Sequence, residues 1–140
     1  MSGVLVDSNV ILDVLTEDAA WYAWSSSALE RCANESTLCI NPIIYAEVSI
    51  GFEKIEELEA ALPPDTFRRL HLPLDAAFLA GKAFVKYRKQ GGLRTSTLPD
   101  FFIGAHAAVA GLRLLTRDDR RYRAYFPTVT FVSPPAPRIR

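Results

Sequence analysis

Short apolar runs alternate along this chain with longer segments whose apolar residues recur every three or four positions. The short runs are typical of buried strands and the longer periodic segments of amphipathic helices. The pattern predicts strands at 3–7, 37–40, 67–72, 113–116 and 128–132. Helical spacing fills the intervals, at about 10–15, 19–33, 42–50, 54–62, 75–89 and from 98 onward. This alternation predicts an α/β fold, a single domain with a mostly parallel central sheet flanked by helices.

The longest predicted helix, 75–89, has a clear apolar face. Its spacing predicts that four side chains point toward the core: Phe78, Leu79, Ala83 and Val85. Its lysines are predicted to face solvent. At the carboxyl end, the Pro- and Arg-rich residues 133–140 are predicted to form a loose tail. The folded domain is therefore expected to span 1–132.

The composition predicts a cytoplasmic globular protein. With 140 residues, 49% of them hydrophobic, the chain can bury a core without disulfides or structural metal. Its apolar runs are much shorter than the roughly 20 residues of a membrane span. No basic n-region precedes the first strand, so no secretion signal is expected. Cys32 and Cys39 are too far apart in sequence for a CxxC pair and are predicted to be reduced core residues.

A net charge of zero conceals two oppositely charged halves. Residues 1–67 contain twelve acidic and two basic residues, whereas 68–140 contain four acidic and fourteen basic residues. A basic half of this kind can bind a polyanion such as nucleic acid. Solvated helices that happen to carry one sign of charge explain the division equally well.

Four acidic residues stand where an uncompensated charge is costly. Asp7 and Asp118 follow predicted strand ends. Glu47 lies beside the apolar face of a helix, and Asp100 opens another helix. Ligands bind outside the carboxyl ends of parallel strands, and converging carboxylates repel one another unless a cation compensates them. Mg²⁺ and Mn²⁺ prefer such oxygens, so the pattern predicts a metal site that activates water for phosphodiester hydrolysis.

Each acid also has a purely structural interpretation, which the sequence leaves open. Asp7 can be an ordinary helix N-cap, and Glu47 can be a solvated residue at the edge of a helix. Asp100 fits a capping box that begins at Thr97, and Asp118 can belong to a turn. The four positions together favour the metal site over four separate explanations.

Other polar and aromatic residues are weaker candidates. Asn9 can orient a carboxylate or cap a helix, and Thr116 can bond a ligand or simply be a β-branched strand residue. Candidate RNA-backbone contacts are Arg94, Arg113, Arg117, Arg120 and Arg121. Core positions, rather than base-stacking ones, are predicted for Tyr122, Tyr125 and Phe126. Four further aromatic residues can belong equally to an interface or to the core: Trp21, Trp24, Phe101 and Phe102.

Four segments in order resemble the PIN domain, specifically VapC-type toxins. They are VLVDSNVIL at 4–12, YAEV at 45–48, LPDFFIGAHA at 98–107 and LLTRD at 114–118. Each motif is weak alone, but the order Asp, Glu, Asp, Asp is specific. The resemblance extends to about residue 132, which makes 1–132 a PIN-like nuclease domain. The tail at 133–140 has no counterpart in the family pattern.

The resemblance implies an endoribonuclease dependent on Mg²⁺ or Mn²⁺, the toxin of a type II toxin–antitoxin pair. Such a toxin hydrolyses RNA such as tRNA or rRNA, leaves 5′-phosphate and 3′-hydroxyl ends, forms a homodimer and is inhibited by a cognate antitoxin. Carried over by position, the catalytic and metal-binding residues are Asp7, Glu47, Asp100 and Asp118. Asn9 and Thr116 become supporting residues.

Three other classes fit the sequence less well. A haloacid-dehalogenase-like phosphatase needs a second acid two residues after the first, where this chain has Asn9. A receiver domain places its phospho-accepting Asp after a later strand and needs a paired Lys. A catalytically silent PIN-like module that binds RNA or protein has no use for four converging carboxylates, and it remains the alternative to the nuclease.

Overall fold

Strands and helices alternate through the residues that the structure, a computed structural model, describes: 3–91 and 98–135. The strands in these ranges are β1 (Gly3–Val6), β2 (Thr37–Ile40), β3 (Phe67–Arg69), β4 (Arg113–Leu115) and β5 (Phe131–Val132). The helices are α1 (Ser8–Leu15), α2 (Tyr22–Glu35), α3 (Pro42–Ser49), α4 (Ile55–Ala61), α5 (Leu74–Lys89), α6 (Leu98–Ala110) and α7 (Arg120–Arg123). The predicted Thr97 cap and Arg94 lie outside these residues.

The strands form one sheet in the order β3-β2-β1-β4-β5, and every pairing between them is parallel. The α/β prediction is therefore confirmed. The chain starts in the middle of the sheet, builds outward through β2 and β3, and then crosses to the other side of β1. A strand order that reverses in this way opens a crevice between β1 and β4 at their carboxyl ends.

The ends of β1 and β4 are in register. Val6 is paired with Leu115, and one residue further on the backbone N–H of Asp7 donates to the Leu115 carbonyl at 2.9 Å. β1 is completely buried, as expected for a central parallel strand covered on both faces. Asp7 and Thr116 are consequently fixed side by side, immediately beyond the sheet.

Helix α5 differs from its predicted orientation. Its buried side chains are Ala76, Ala80, Ala83 and Tyr87, whereas Phe78 is 68% exposed and Val85 is 49% exposed. The predictions for Phe78 and Val85 are wrong, whereas Ala83 is buried and Leu79 packs against the core. Alanines at helical spacing let α5 lie close to α6, so small residues rather than large ones mark its inner face.

A buried polar pair connects α3 to α6. Asn41 caps α3 by accepting from the Ile44 N–H at 2.9 Å, and its side-chain amide lies 3.0 Å from His106 Nδ1. Both side chains are buried. Burial lowers the pKa of His106 below its ordinary value. A neutral His106 that accepts from Asn41 thus ties together the two helices that carry Glu47 and Asp100.

The remaining differences from the sequence predictions are local. The predicted strand at 67–72 ends at Arg69, and the arginine-rich segment after β4 forms a short helix, α7. Within the described residues, no helix is long and apolar enough to cross a membrane.

Candidate active site

Asp7 stands at the centre of the site, at the N-terminal end of α1, and is 4% exposed. Its Oδ2 atom accepts hydrogen bonds from Thr116 Oγ1 and from the Tyr122 hydroxyl, both at 2.9 Å. Burial raises the pKa of Asp7 above its ordinary value, and the charge of Asp100 raises it further. The bonds from Thr116 and Tyr122 oppose this rise by stabilising the carboxylate.

Thr116 links three parts of the site. Besides donating to Asp7, its hydroxyl accepts from Asn9 Nδ2 at 3.4 Å and from the backbone N–H of Asp118 at 3.3 Å. The Asn9 Oδ1 atom is buried and has no hydrogen-bond partner. A buried acceptor without a donor is uncommon and leaves an oxygen available for a ligand.

Glu47 reaches the site from α3, where the Ser8 hydroxyl donates to its Oε1 atom at 2.8 Å. Partial burial is the main cause that raises the pKa of Glu47, and the charges of Asp7 and Asp100 add to it. Ser8 and Arg121 act in the opposite direction. The charges of Glu47, Asp7 and Asp100 therefore interact with one another.

The other two acids are paired with arginines of α7. Asp100, in the first turn of α6, lies 3.1 Å from Arg121 Nη1. Asp118 accepts two hydrogen bonds from the guanidinium of Arg120, at 3.1 and 3.0 Å. These bonds from Arg120 are the main reason why the pKa of Asp118 is lowered. Because Arg120 is 87% exposed, this surface ion pair is weak and easily exchanged for another cation.

The donor chemistry of the site fits a hard divalent cation. In this side-chain arrangement, and within 3–91 and 98–135, no three His, Cys, Asp or Glu side chains are grouped closely enough to hold a metal ion. Three observations nevertheless favour a cation. Asp7 and Glu47 are acids whose pKa values are raised by burial and by neighbouring carboxylates. Arginines compensate Asp100 and Asp118, and Asn9 presents an unused buried oxygen.

The predicted arginines are distributed unevenly around the acids. Arg120 and Arg121 lie beside them, as described. Arg117 is ion-paired with Asp13 at 3.5 Å and stacks on Trp21. Arg113, at the opposite end of β4, lies within 3.9 Å of Glu35 and about 10 Å along the strand from Thr116. Arg94 is outside the described residues.

Two hydroxyls that the sequence did not single out complete the site. Ser8 donates to Glu47 from the start of α1, and Tyr122 was predicted to be a core residue. Tyr122 is indeed buried, yet its hydroxyl binds a carboxylate 115 positions earlier in the chain. A buried tyrosine usually finds a partner for its hydroxyl, but nothing in the sequence identifies that partner.

An open groove of about 1000 Å³ extends from Asp118 toward β5. Its lining includes Asn9 and Asp118 from the site, together with Trp21, Arg117, Arg123 and Phe131. The groove thus combines cationic and aromatic side chains beside the carboxylates.

This arrangement of acids on a parallel sheet agrees with a comparison at the sequence level. A family model for the PIN domain matches residues 4–127. The chain belongs to the PIN domain family. All four acids lie within the matched PIN region, whereas 128–135, with β5 and the start of the proline-rich segment, lie beyond it. No curated protein sequence matched the chain.

Solved toxin–antitoxin structures share this fold. A chain of VapBC2 from Rickettsia felis, bound to a promoter DNA fragment, aligns with a TM-score of 0.71 and 18% identity over 93% of this chain and 97% of that one. DNA-bound VapBC from Salmonella typhimurium gives 0.70 and 20% over 95% and 98%. A toxin–antitoxin complex from Klebsiella pneumoniae gives 0.66 and 24% over 91% and 96%. Because the identities are below 25%, these structural alignments establish the shared fold alone.

Proposed function

We propose that this PIN domain is an endoribonuclease that depends on Mg²⁺ or Mn²⁺ and acts as the toxin of a type II toxin–antitoxin pair. The observation that carries the proposal is the repulsion among the charges of three carboxylates, those of Asp7, Glu47 and Asp100. Asp7 follows β1, where the strand order reverses. Neighbouring carboxylates repel one another, and a bound divalent cation would offset that repulsion.

Asp7, Glu47, Asp100 and Asp118 would hold the metal, supported by Asn9 and Thr116. A bound divalent ion would supply charge neutralisation, polarisation of a phosphate and activation of a water. Thr116 and Tyr122 fix the Asp7 carboxylate, so its geometry is set before substrate binds. Ser8 does the same for Oε1 of Glu47.

Glu47 would also accept a proton from the water, because the Ser8 bond occupies Oε1 and leaves Oε2 for the water proton. Attack of the water oxygen on phosphorus breaks the bond from phosphorus to the 3′ oxygen. The leaving oxygen takes up a proton, which gives the 5′-phosphate and 3′-hydroxyl ends that the family resemblance implies.

The partners follow from the same proposal. The solved relatives are complexes of toxin with antitoxin, which supports a cognate antitoxin for this chain. We also propose that the protein is a homodimer and acts on tRNA or rRNA in the cytoplasm. The arginines beside the acids, Arg117, Arg120 and Arg121, would bind the RNA backbone.

The test is cleavage of total tRNA and rRNA by purified protein with Mg²⁺, with Mn²⁺ and with EDTA. Asp7→Asn is assayed in parallel, and Asp65→Asn, in an exposed turn, is the matched control. Discrete fragments that require metal and Asp7, but not Asp65, would support the proposal. Equal cleavage by Asp7→Asn and wild type would mean a contaminating nuclease or a wrongly assigned site. No cleavage under any condition would favour the silent binding module.

A further inference from the structure

Two consecutive arginines at the start of α7 each bind one of the four acids. Arg121 Nη1 lies 3.1 Å from Oδ2 of Asp100, and the guanidinium of Arg120 binds Asp118. The two ion pairs differ in exposure, because the Arg120 side chain is 87% exposed and that of Arg121 33%. Water and salt screen the Arg121 pair less, so it contributes more to the charge balance of the site.

The packing of α7 against α6 fixes the backbone position of Arg121. Tyr122, the next residue, is buried and donates to Asp7. Its ring passes so close to α6 that a Cβ atom on Gly104 would lie 3.1 Å from it. Gly104 follows Asp100 by about one helical turn. The backbone of Arg121 is therefore held beside Asp100, while its partly exposed side chain can turn toward solvent.

The charge of Arg121 acts on more than its ion-pair partner, Asp100. Burial is the main cause that raises the pKa of Glu47, and the charge of Arg121 opposes that rise. The hydrogen bonds from Arg120 are the main cause that lowers the pKa of Asp118, and the charge of Arg121 adds to the lowering. One guanidinium therefore offsets the negative charge of three of the four acids.

A divalent cation would need one of the carboxylates that Arg121 now binds. Within 3–91 and 98–135, this side-chain arrangement groups no three His, Cys, Asp or Glu side chains closely enough for a metal ion, so a carboxylate has to turn before several can share one. For Asp100, turning toward a cation means leaving Arg121. A ligand that binds a conformation opposed by an existing contact has a lower apparent affinity.

We propose that Arg121 is a built-in counter-ion that competes with the metal for Asp100 and so sets the concentration of Mg²⁺ or Mn²⁺ at which the site fills. Without metal, its charge stabilises the folded arrangement of the acids. When Asp100 turns toward a cation, the guanidinium is released and becomes available to a phosphate of the substrate. This inference rests on the proposed metal dependence and adds a means of regulation at the same site.

The test measures metal binding and folding rather than cleavage, so it is independent of the proposed catalysis. Mn²⁺ is titrated into the full chain at about 0.15 M salt, and the EPR signal of free Mn²⁺ gives the affinity. Wild type is compared with Arg121→Gln and Arg121→Lys. Arg123→Gln, in the same helix but paired with Asp119, is the matched control. Urea unfolding in EDTA measures the stability of each metal-free variant and verifies that it is folded.

Arg121→Gln is expected to bind Mn²⁺ about tenfold more tightly than wild type and to unfold at a lower urea concentration in EDTA, because glutamine lacks the charge. Arg121→Lys keeps the charge and should lie nearer to wild type in both measurements, and Arg123→Gln should match wild type. Folded Arg121→Gln that binds Mn²⁺ no more tightly than wild type, or that is as stable in EDTA, would overturn the counter-ion. Equal tightening in Arg123→Gln would also overturn it, by showing a general effect of charge. Failure of the proposed metal dependence would instead appear as no Mn²⁺ binding by wild type and Arg121→Gln alike, which would overturn both.

Discussion

One oxygen atom, Oδ2 of Asp7, receives hydrogen bonds from both sides of the site. Thr116 from the end of β4 and Tyr122 from α7 both donate to it, so two separate elements fix one carboxylate. Burial makes the same carboxylate costly when ionised, as its raised pKa indicates. The residue most closely fixed in the site is therefore also one that destabilises the metal-free fold.

The first prediction is that Asp7→Asn stabilises the metal-free protein at neutral pH. A folded-state pKa above the unfolded value means that the folded protein binds more protons, so stability falls as pH rises through that interval. Asparagine removes this loss, and we expect a gain of roughly 0.5–2 kcal/mol at pH 7.5 in EDTA. Urea unfolding measures it. Addition of Mn²⁺ should stabilise wild type and Asp65→Asn but not Asp7→Asn.

The second prediction concerns Tyr122. Tyr122→Phe removes one donor to Asp7 and leaves the ring packing intact, so the pKa of Asp7 should rise further. Activity should fall about tenfold, and the acidic limb of its pH profile should move to higher pH. Tyr125→Phe is the matched control, because its hydroxyl binds Gln90 on the surface. An unchanged pH profile in Tyr122→Phe would show that this bond does not set the protonation of Asp7.

At the residue scale, the sequence identified the acids but not their partners. Asp7, Glu47, Asp100 and Asp118 each interrupt a local apolar pattern, which is visible without a structure. Ser8 and Tyr122 have ordinary positions in their own segments. Their roles depend on contacts 39 and 115 positions away, which no local pattern encodes.

At the element scale, α6 is fixed by close packing at Gly104. A Cβ atom there would lie 2.4 Å from the Phe126 ring and 3.1 Å from the Tyr122 ring. Gly104→Ala should therefore destabilise the fold by about 1–3 kcal/mol and weaken activity, because Asp100 and Tyr122 move with the packing. At Gly81 in α5, by contrast, an added Cβ atom would meet no atom within 4 Å. Gly81→Ala should therefore stabilise the fold by about 0.5–1 kcal/mol. Thermal unfolding of the pair measures both effects, and equal shifts would contradict the close packing.

The Asn41–His106 pair makes the contact between α3 and α6 dependent on pH. Because the folded-state pKa of His106 is lowered, the unfolded chain takes up a proton first as pH falls below about 6.5. The contribution of His106 to the free energy of unfolding is therefore present above that pH and lost below it. His106→Asn, which keeps an acceptor for Asn41, should flatten the stability profile between pH 7.5 and 5, whereas the exposed His71→Asn should not. A profile unchanged in His106→Asn would place the pH dependence elsewhere.

Elements were predictable where their signals are local, and less so where packing decides. Helical spacing predicted α3 at about 42–50, whereas the role of Asn41 as its cap was seen only in the structure. In α5 the larger side chains suggested the wrong face, because Phe78 and Val85 give a stronger apolar signal than the alanines that approach α6. Helix orientation depends on the size of the gap to be filled, which the sequence of one helix does not contain.

At the scale of the whole molecule, the strand order places the arginines of α7 on the side of the sheet that contains β4 and β5. The first half of the chain supplies β1, β2 and the acidic helix α4, whereas the second half supplies β3 at one edge of the sheet and β4, β5 and α7 toward the other. The alternation of strands and helices was sufficient to predict a mostly parallel sheet, but not the order of its strands. The candidate site was then predicted at the carboxyl ends of the strands that Asp7 and Asp118 follow, because a parallel sheet aligns such ends.

The position of the arginines beside the acids predicts how RNA binding depends on salt. Each arginine that neutralises a phosphate of single-stranded RNA releases counterions and contributes about 0.7 to the slope of log Kd against log salt concentration. Arg117→Gln and Arg120→Gln, measured in Asp7→Asn without metal, should each lower the slope by about that amount. Arg68→Gln, an exposed arginine on β3 at the other edge of the sheet, should leave it unchanged. If all three variants lowered the slope equally, the RNA would be held by diffuse charge, and the position of the arginines beside the acids would have no bearing on where the strand lies. A reduction confined to Arg117→Gln and Arg120→Gln would instead show that the side of the sheet containing β4 and α7 binds the phosphates, next to Asp118.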